Sequence, residues 1–164
     1  MKLKRLGLLY ALTMIAMPSF AANVVTETQA VAILKGDGVK SVAAQSLFRN
    51  GVFSNKGFDN NAEAYRGYYF SQKPLTFLNF NVAALDIPYK TMYVGCCVIH
   101  QNSFILSHTI KSDMDTLHRF ARKNNCRVDS DGLDGIIDPI AVKFVKKSNT
   151  THFVSITCEN PNAE

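Results

Sequence analysis

No stretch of this 164-residue chain reaches the roughly 18 consecutive apolar residues that a membrane-spanning helix requires. Internal repeats, low-complexity tracts and linker-like segments are missing too, which removes repeat architectures and a multi-domain layout. Catalytic signatures are also absent. There is no G-x-S-x-G elbow, S-x-x-K, H-E-x-x-H, P-loop or dinucleotide fingerprint, and the four histidines and four cysteines match neither C-x-x-C nor a zinc spacing. These gaps lean against catalysis and against a bound metal or cofactor, although an active site assembled from distant positions needs no local signature. Charged residues make up only 19% of the chain while 47% are hydrophobic, so disorder is excluded and one globular domain is expected.

What is present begins with charge. The formal net charge is +5, which invites a nucleic-acid reading. Its location argues otherwise. Lys2, Lys4 and Arg5 form a cationic head before an apolar stretch from Leu6 to Met17, followed by Pro18, Ser19, Phe20 and Ala21. This three-part pattern is that of a secretory signal, with Ser19 and Ala21 as the small residues before a cut between Ala21 and Ala22. Its apolar core is too short to span a hydrocarbon layer of ~30 Å. Removing residues 1–21 takes away those three cations and no acid, so +5 falls to +2. A domain of residues 22–164 with that charge lacks the footprint of phosphate binding, and no nucleic-acid partner is expected. The short signal core and S-x-A site suit a bacterial periplasmic or secreted protein.

Four cysteines, Cys96, Cys97, Cys126 and Cys158, lie in the mature part. An even number in an exported domain points to disulfides. Cys96 and Cys97 sit in a β-like run, where neighbouring side chains point to opposite faces, so they are expected to bond different partners. The favoured pairings are Cys96 to Cys126 with Cys97 to Cys158, or the reverse. A vicinal Cys96–Cys97 bond would require a strained backbone.

The order of elements suggests α+β: an N-terminal helical hairpin packed on a mostly antiparallel sheet with one inserted helix. Residues 26–34 read as a helix capped by Thr26 and ended by Gly36, and 39–48 as a second one stopped by Asn50-Gly51. Residues 62–69 read as a short helix. Leu75 to Val82 reads as one extended run with Phe77 opposed to Phe80, and Met92–Ile99 with Phe104–Ile110 as a hairpin around residues 100–103. A helix over 112–124 has Ser112 as N-cap and a stripe of Met114, Leu117, Phe120 and Ala121. Ile140–Lys146 and Thr151–Cys158 read as a terminal hairpin.

Two local clusters deserve a functional reading. Tyr65, Arg66, Tyr68 and Tyr69, joined by Lys73, form the densest aromatic and basic group and the leading candidate for partner contact, since Tyr and Arg are enriched at interfaces. The competing reading sends Tyr69 and Phe70 into the core. Asp129-Ser130-Asp131-Gly132-Leu133-Asp134-Gly135 resembles a calcium loop in composition but fails the EF-hand order, and reads as two Asp-Gly turns.

Taken together, these features suggest a non-catalytic exported module that binds another protein of the cell envelope, in its sharpest form an inhibitor or immunity-type protein neutralising a toxin or enzyme. A small-ligand module with an apolar cavity is one alternative. A small exported hydrolase using Cys97, with His100 or His108 as base and Asp113 as orienter, is another. The two-disulfide expectation has a direct check: thiol titration of the unfolded, non-reduced protein should find no free thiol, and two per chain would contradict it.

Overall fold

The computed structural model describes residues 23–36, 40–54, 56–59, 66–88, 101–132 and 152–159. Its helices begin and end where short-range hydrogen bonds dictate. Thr26 opens α1 (Glu27–Leu34) with a capping box: its hydroxyl accepts from the Gln29 amide at 3.2 Å, and the Gln29 Oε1 accepts from the Thr26 amide at 3.0 Å. Helix α2 (Val42–Arg49) ends in a Schellman arrangement, with the Val52 N–H reaching the Leu47 carbonyl and the Gly51 N–H reaching that of Phe48. Gly51 sits at φ 62°, which a side chain adopts only at a cost. Helix α3 (Met114–Lys123) buries Leu117, Phe120 and Ala121 and half-buries Met114, as its stripe suggests.

Among the described residues eight strands form one sheet. In chain order they are β1 (Asn23–Val24), β2 (Phe58–Asp59), β3 (Arg66–Phe70), β4 (Leu75–Phe77), β5 (Phe80–Pro88), β6 (Gln101–Ser107), β7 (Cys126–Asp129) and β8 (Phe153–Glu159). Across the sheet the order is β1-β4-β5-β6-β8-β7, with β3 beside the second half of β5 and β2 beyond β3. Only the β1–β4 pair is parallel among the described strands. Three helices among the described residues, with a mostly antiparallel sheet, make the protein α+β.

The larger core lies between the helices and one sheet face. Phe77 meets Phe120 of α3 edge-on at 4.9 Å and Phe104 at 5.8 Å, contacts that add about 0.5–1.5 kcal/mol each beyond burial. Tyr68, Phe70, Ala84, Ile105 and Phe153 build a second buried cluster. Strand alternation puts it on the opposite face, because Tyr69, Leu85, Phe104 and Val154, each one residue away, belong to the first core.

Several expectations change. Of the helix expected at 62–69, residues 66–69 belong instead to β3, since Tyr68 and Phe70 on one face and Tyr69 on the other fit a pleated surface buried on both sides, and residues 62–65 lie outside the described residues. The single run from Leu75 to Val82 is broken at Leu78 and Asn79, whose φ values of 48° and 65° make a two-residue hairpin turn. That turn pairs Phe77 directly with Phe80, so the two rings expected on opposed faces share one core. Residues 101–103, expected in a turn, belong to β6, whose neighbours are β5 and β8. Strand β8 likewise lies between β6 and β7, and the Gly132 N–H bonds the Phe153 carbonyl at its start. A Cβ on Gly132 would come within 2.5 Å of the Val154 backbone, so the Asp-Gly turn owes its glycine to close approach. Residues 1–21, 92–99 and 140–146, with the signal and strand expectations they carry, lie outside the described residues.

Asn102 explains the misread turn. It is 2% exposed and faces α1, where its Nδ2 donates to the carbonyls of Ile33 and Gly36, both at 2.8 Å. A polar side chain in a buried strand therefore satisfies the end of a helix. Asn102→Ala should cost about 2 kcal/mol or more, since two carbonyls lose a partner away from water. Denaturant unfolding of the oxidised protein measures this, and a loss below about 0.5 kcal/mol would contradict the role.

Candidate functional site

Of the aromatic group at 65–73, Tyr68 and Tyr69 are buried. Tyr68 and Tyr69 are adjacent on β3, point to opposite faces, and are 5% and 9% exposed. Burial also raises the Tyr69 hydroxyl pKa above its ordinary value. Arg66 opens β3, and Tyr65 lies outside the described residues. Lys73 is an exposed cation, its Nζ donating to the Asn50 carbonyl at 2.6 Å.

The cysteine pairing also differs from expectation. Cys126 and Cys158 are bonded to each other, where they had been assigned to Cys96 and Cys97. The reason is register: the two face each other across β7 and β8 with Cα atoms 4.3 Å apart, close to the spacing of a non-hydrogen-bonded antiparallel pair. Such a bond is compatible with an oxidising, exported location. Cys96, Cys97 and His100 lie outside the described residues. Asp113, the orienter that a cysteine–histidine site would need, directs its carboxylate to the start of α3. His108 is exposed and packs edge-on against Phe80 at 5.2 Å. Asp129 accepts from the Asp131 amide at 3.2 Å, the local turn expected of this sequence.

Two features of the surface remain as candidates for binding. The first is the turn Thr109–Ser112 between β6 and α3. Its Thr109 and Ser112 hydroxyls both donate to the Asn79 carbonyl, at 2.6 and 3.1 Å, and the Thr109 N–H donates to the Ser112 hydroxyl at 2.7 Å. This commitment of Ser112 explains why α3 takes Asp113 as its N-cap one residue later than expected. The turn is thereby fastened to the β4–β5 hairpin, where Leu78 holds a left-handed backbone. At its tip Ile110 is fully exposed, at 101%.

The second is a cleft of about 430 Å³ where α1 and α2 meet the β1 edge of the sheet. Val25, Ile33, Leu47, Val52 and Leu75 give it apolar walls, while Asn23, Gln29, Ser46, Asn50 and Lys73 supply polar atoms. Val52 and Leu47 are also the two ends of the Schellman bond that closes α2, so the same local motif shapes both the helix end and the cleft wall. No family model, curated protein or solved structure matches this chain. Its chemistry is read from the side chains alone. Among the described residues no group of three or more His, Cys, Asp or Glu could hold a metal, and no helix is long and apolar enough to cross a membrane.

Sequence reasoning missed both features because their members are distant in sequence. Thr109 and Ser112 reach Asn79 across some thirty residues of sequence, and Lys73 reaches the end of α2 at Asn50. A mild signal existed in Ile110, an aliphatic residue between Thr109 and Lys111 just before a helix start.

The electrostatics beside the tip are testable. The Thr116 hydroxyl above all, joined by the Asp115 and Thr116 amides and the Arg119 guanidinium, holds the Asp113 carboxyl below its ordinary 3.8 against an opposing desolvation. A depressed carboxyl favours the folded state above the unfolded pKa and loses that contribution as pH falls through the folded value. NMR titration should therefore place the Asp113 midpoint below 3.8, and the stability gap between wild type and Asp113→Asn should narrow as pH falls through that midpoint. A midpoint at or above 3.8 would contradict the cap.

Proposed function

We propose that the mature domain is a non-catalytic binding module of the bacterial periplasm or exterior, delivered by a cleaved signal at residues 1–21, and that it binds another protein of the envelope. In this reading α1 and α2 form a helical hairpin that braces the sheet, and the disulfide staple suits the oxidising compartment. The observation that carries it is Ile110. A bulky aliphatic side chain offered in full to solvent on a turn held by four side-chain hydrogen bonds is preorganised to enter a partner's apolar pocket, since little ordering entropy remains to be lost. An inhibitor or immunity-type role is the sharpest form of this reading, because a rigid apolar plug suits occlusion of a cleft.

A second reading, a small-ligand module, is favoured by the cleft between α1, α2 and β1. Its volume falls at the lower end of ordinary ligand sites, roughly 300–1,000 Å³.

The protein-binding reading is tested with a photo-crosslinking amino acid at position 110 in protein expressed in its own host. One stoichiometric adduct is expected, and Ile110→Asp should abolish recovery of the same partner while leaving the melting temperature within about 2 °C. No stoichiometric adduct, or full recovery by Ile110→Asp, would overturn it.

A further inference from the structure

We propose that the cleft between α1, α2 and β1 binds a monocarboxylate with an apolar tail, Lys73 taking the carboxylate. This inference rests on the small-ligand reading and is independent of the turn at Thr109–Ser112.

Three observations carry it. First, Lys73 is the one charged side chain among the described residues lining the cleft, and no described carboxylate lies within ion-pair distance of it. A site with a lone ammonium and no acid selects an anion, and a single ammonium without a guanidinium fork suits a monoanion better than a phosphate. Second, the ammonium is positioned. Its bond to the carbonyl of Asn50, the C-cap residue of α2, uses one of three donors and leaves two for a ligand. Third, the walls are preformed and largely spoken for. Gln29 is held in the capping box and the Ser46 hydroxyl donates to the Ala43 carbonyl at 2.8 Å, so neither is an idle polar group awaiting a partner. Against the ligand body stand the aliphatic side chains of Val25, Ile33, Leu47, Val52 and Leu75, with Asn23 and Asn50 on the polar side. Burying a chain of several methylenes there supplies the affinity, and the ammonium supplies orientation and choice of head group.

The experiment is calorimetric titration of the mature, oxidised protein with octanoate, butanoate and 1-octanol, followed by the same series on Lys73→Gln and Lys73→Arg. Saturable one-to-one binding of octanoate is expected, at least tenfold tighter than either butanoate or 1-octanol. Lys73→Gln should weaken octanoate at least tenfold and leave 1-octanol unchanged, while Lys73→Arg retains most of the octanoate affinity. Lys73 is exposed, so both variants should melt with wild type, and matched melting curves make the comparison fair. If 1-octanol binds as tightly as octanoate, or Lys73→Gln binds octanoate normally, the carboxylate assignment is overturned while the cleft remains a ligand site. If neither octanoate nor 1-octanol binds, the small-ligand reading fails with it.

Discussion

The structure depends on burying β6 from every side. From Asn102 to Ser107 all six residues are buried, and β5 and β8 occupy its two edges. Backbone groups in such a strand are satisfied by the ladder, but its polar side chains must find partners inside the protein or cost more than they contribute. Ser103 meets the Thr157 hydroxyl at 2.8 Å across the β6–β8 pair. Asn102 meets the end of α1. The second bond has the larger consequence, because it ties the end of α1, whose Ile33 lines the cleft, to the central strand.

From β6 outward, the remaining elements follow by covering its two faces and neighbours. Phe104 and Leu106 face the helices, with Phe77 of β4 and Phe120 of α3 closing over them. Ile105 faces the other way, into a smaller cluster with Tyr68, Phe70 and Phe153. At the far edge, the Cys126–Cys158 bond ties the strand that follows α3 to the sheet. It closes a separation of 32 residues, for which the chain-entropy estimate is about 3–4 kcal/mol. Against a net stability of roughly 5–15 kcal/mol for a small domain, that is a substantial share.

Both candidate binding features sit at the margins of this packed centre and inherit its rigidity. The Ile110 turn is bonded to the β4–β5 hairpin, and Lys73 is bonded to the C-cap of α2. Neither needs to be ordered by a ligand, and low ordering cost is what separates a useful contact from an equal area of mobile surface. The two proposed occupants, a protein pocket and an amphiphile, call on different physics: a protruding apolar anchor for the first and a concave wall with one cation for the second.

Much of the local structure was legible in the sequence, because caps and stops act over a few residues. Thr26, Gly51 and the stripe of Leu117, Phe120 and Ala121 each announce themselves within one or two helical turns, and the α+β order follows from where such signals cluster. The tertiary structure decided the rest. Asn102 reads as a turn residue until a helix end is placed against it; Tyr68 and Tyr69 read as a contact surface until β3 is buried on both faces. Cys126 and Cys158 could be paired only once β7 and β8 were in register. Local hydrogen-bond and steric preferences are written in neighbouring residues. Strand pairing, burial and the meeting of Lys73 with Asn50, by contrast, arise from contacts that no local window contains.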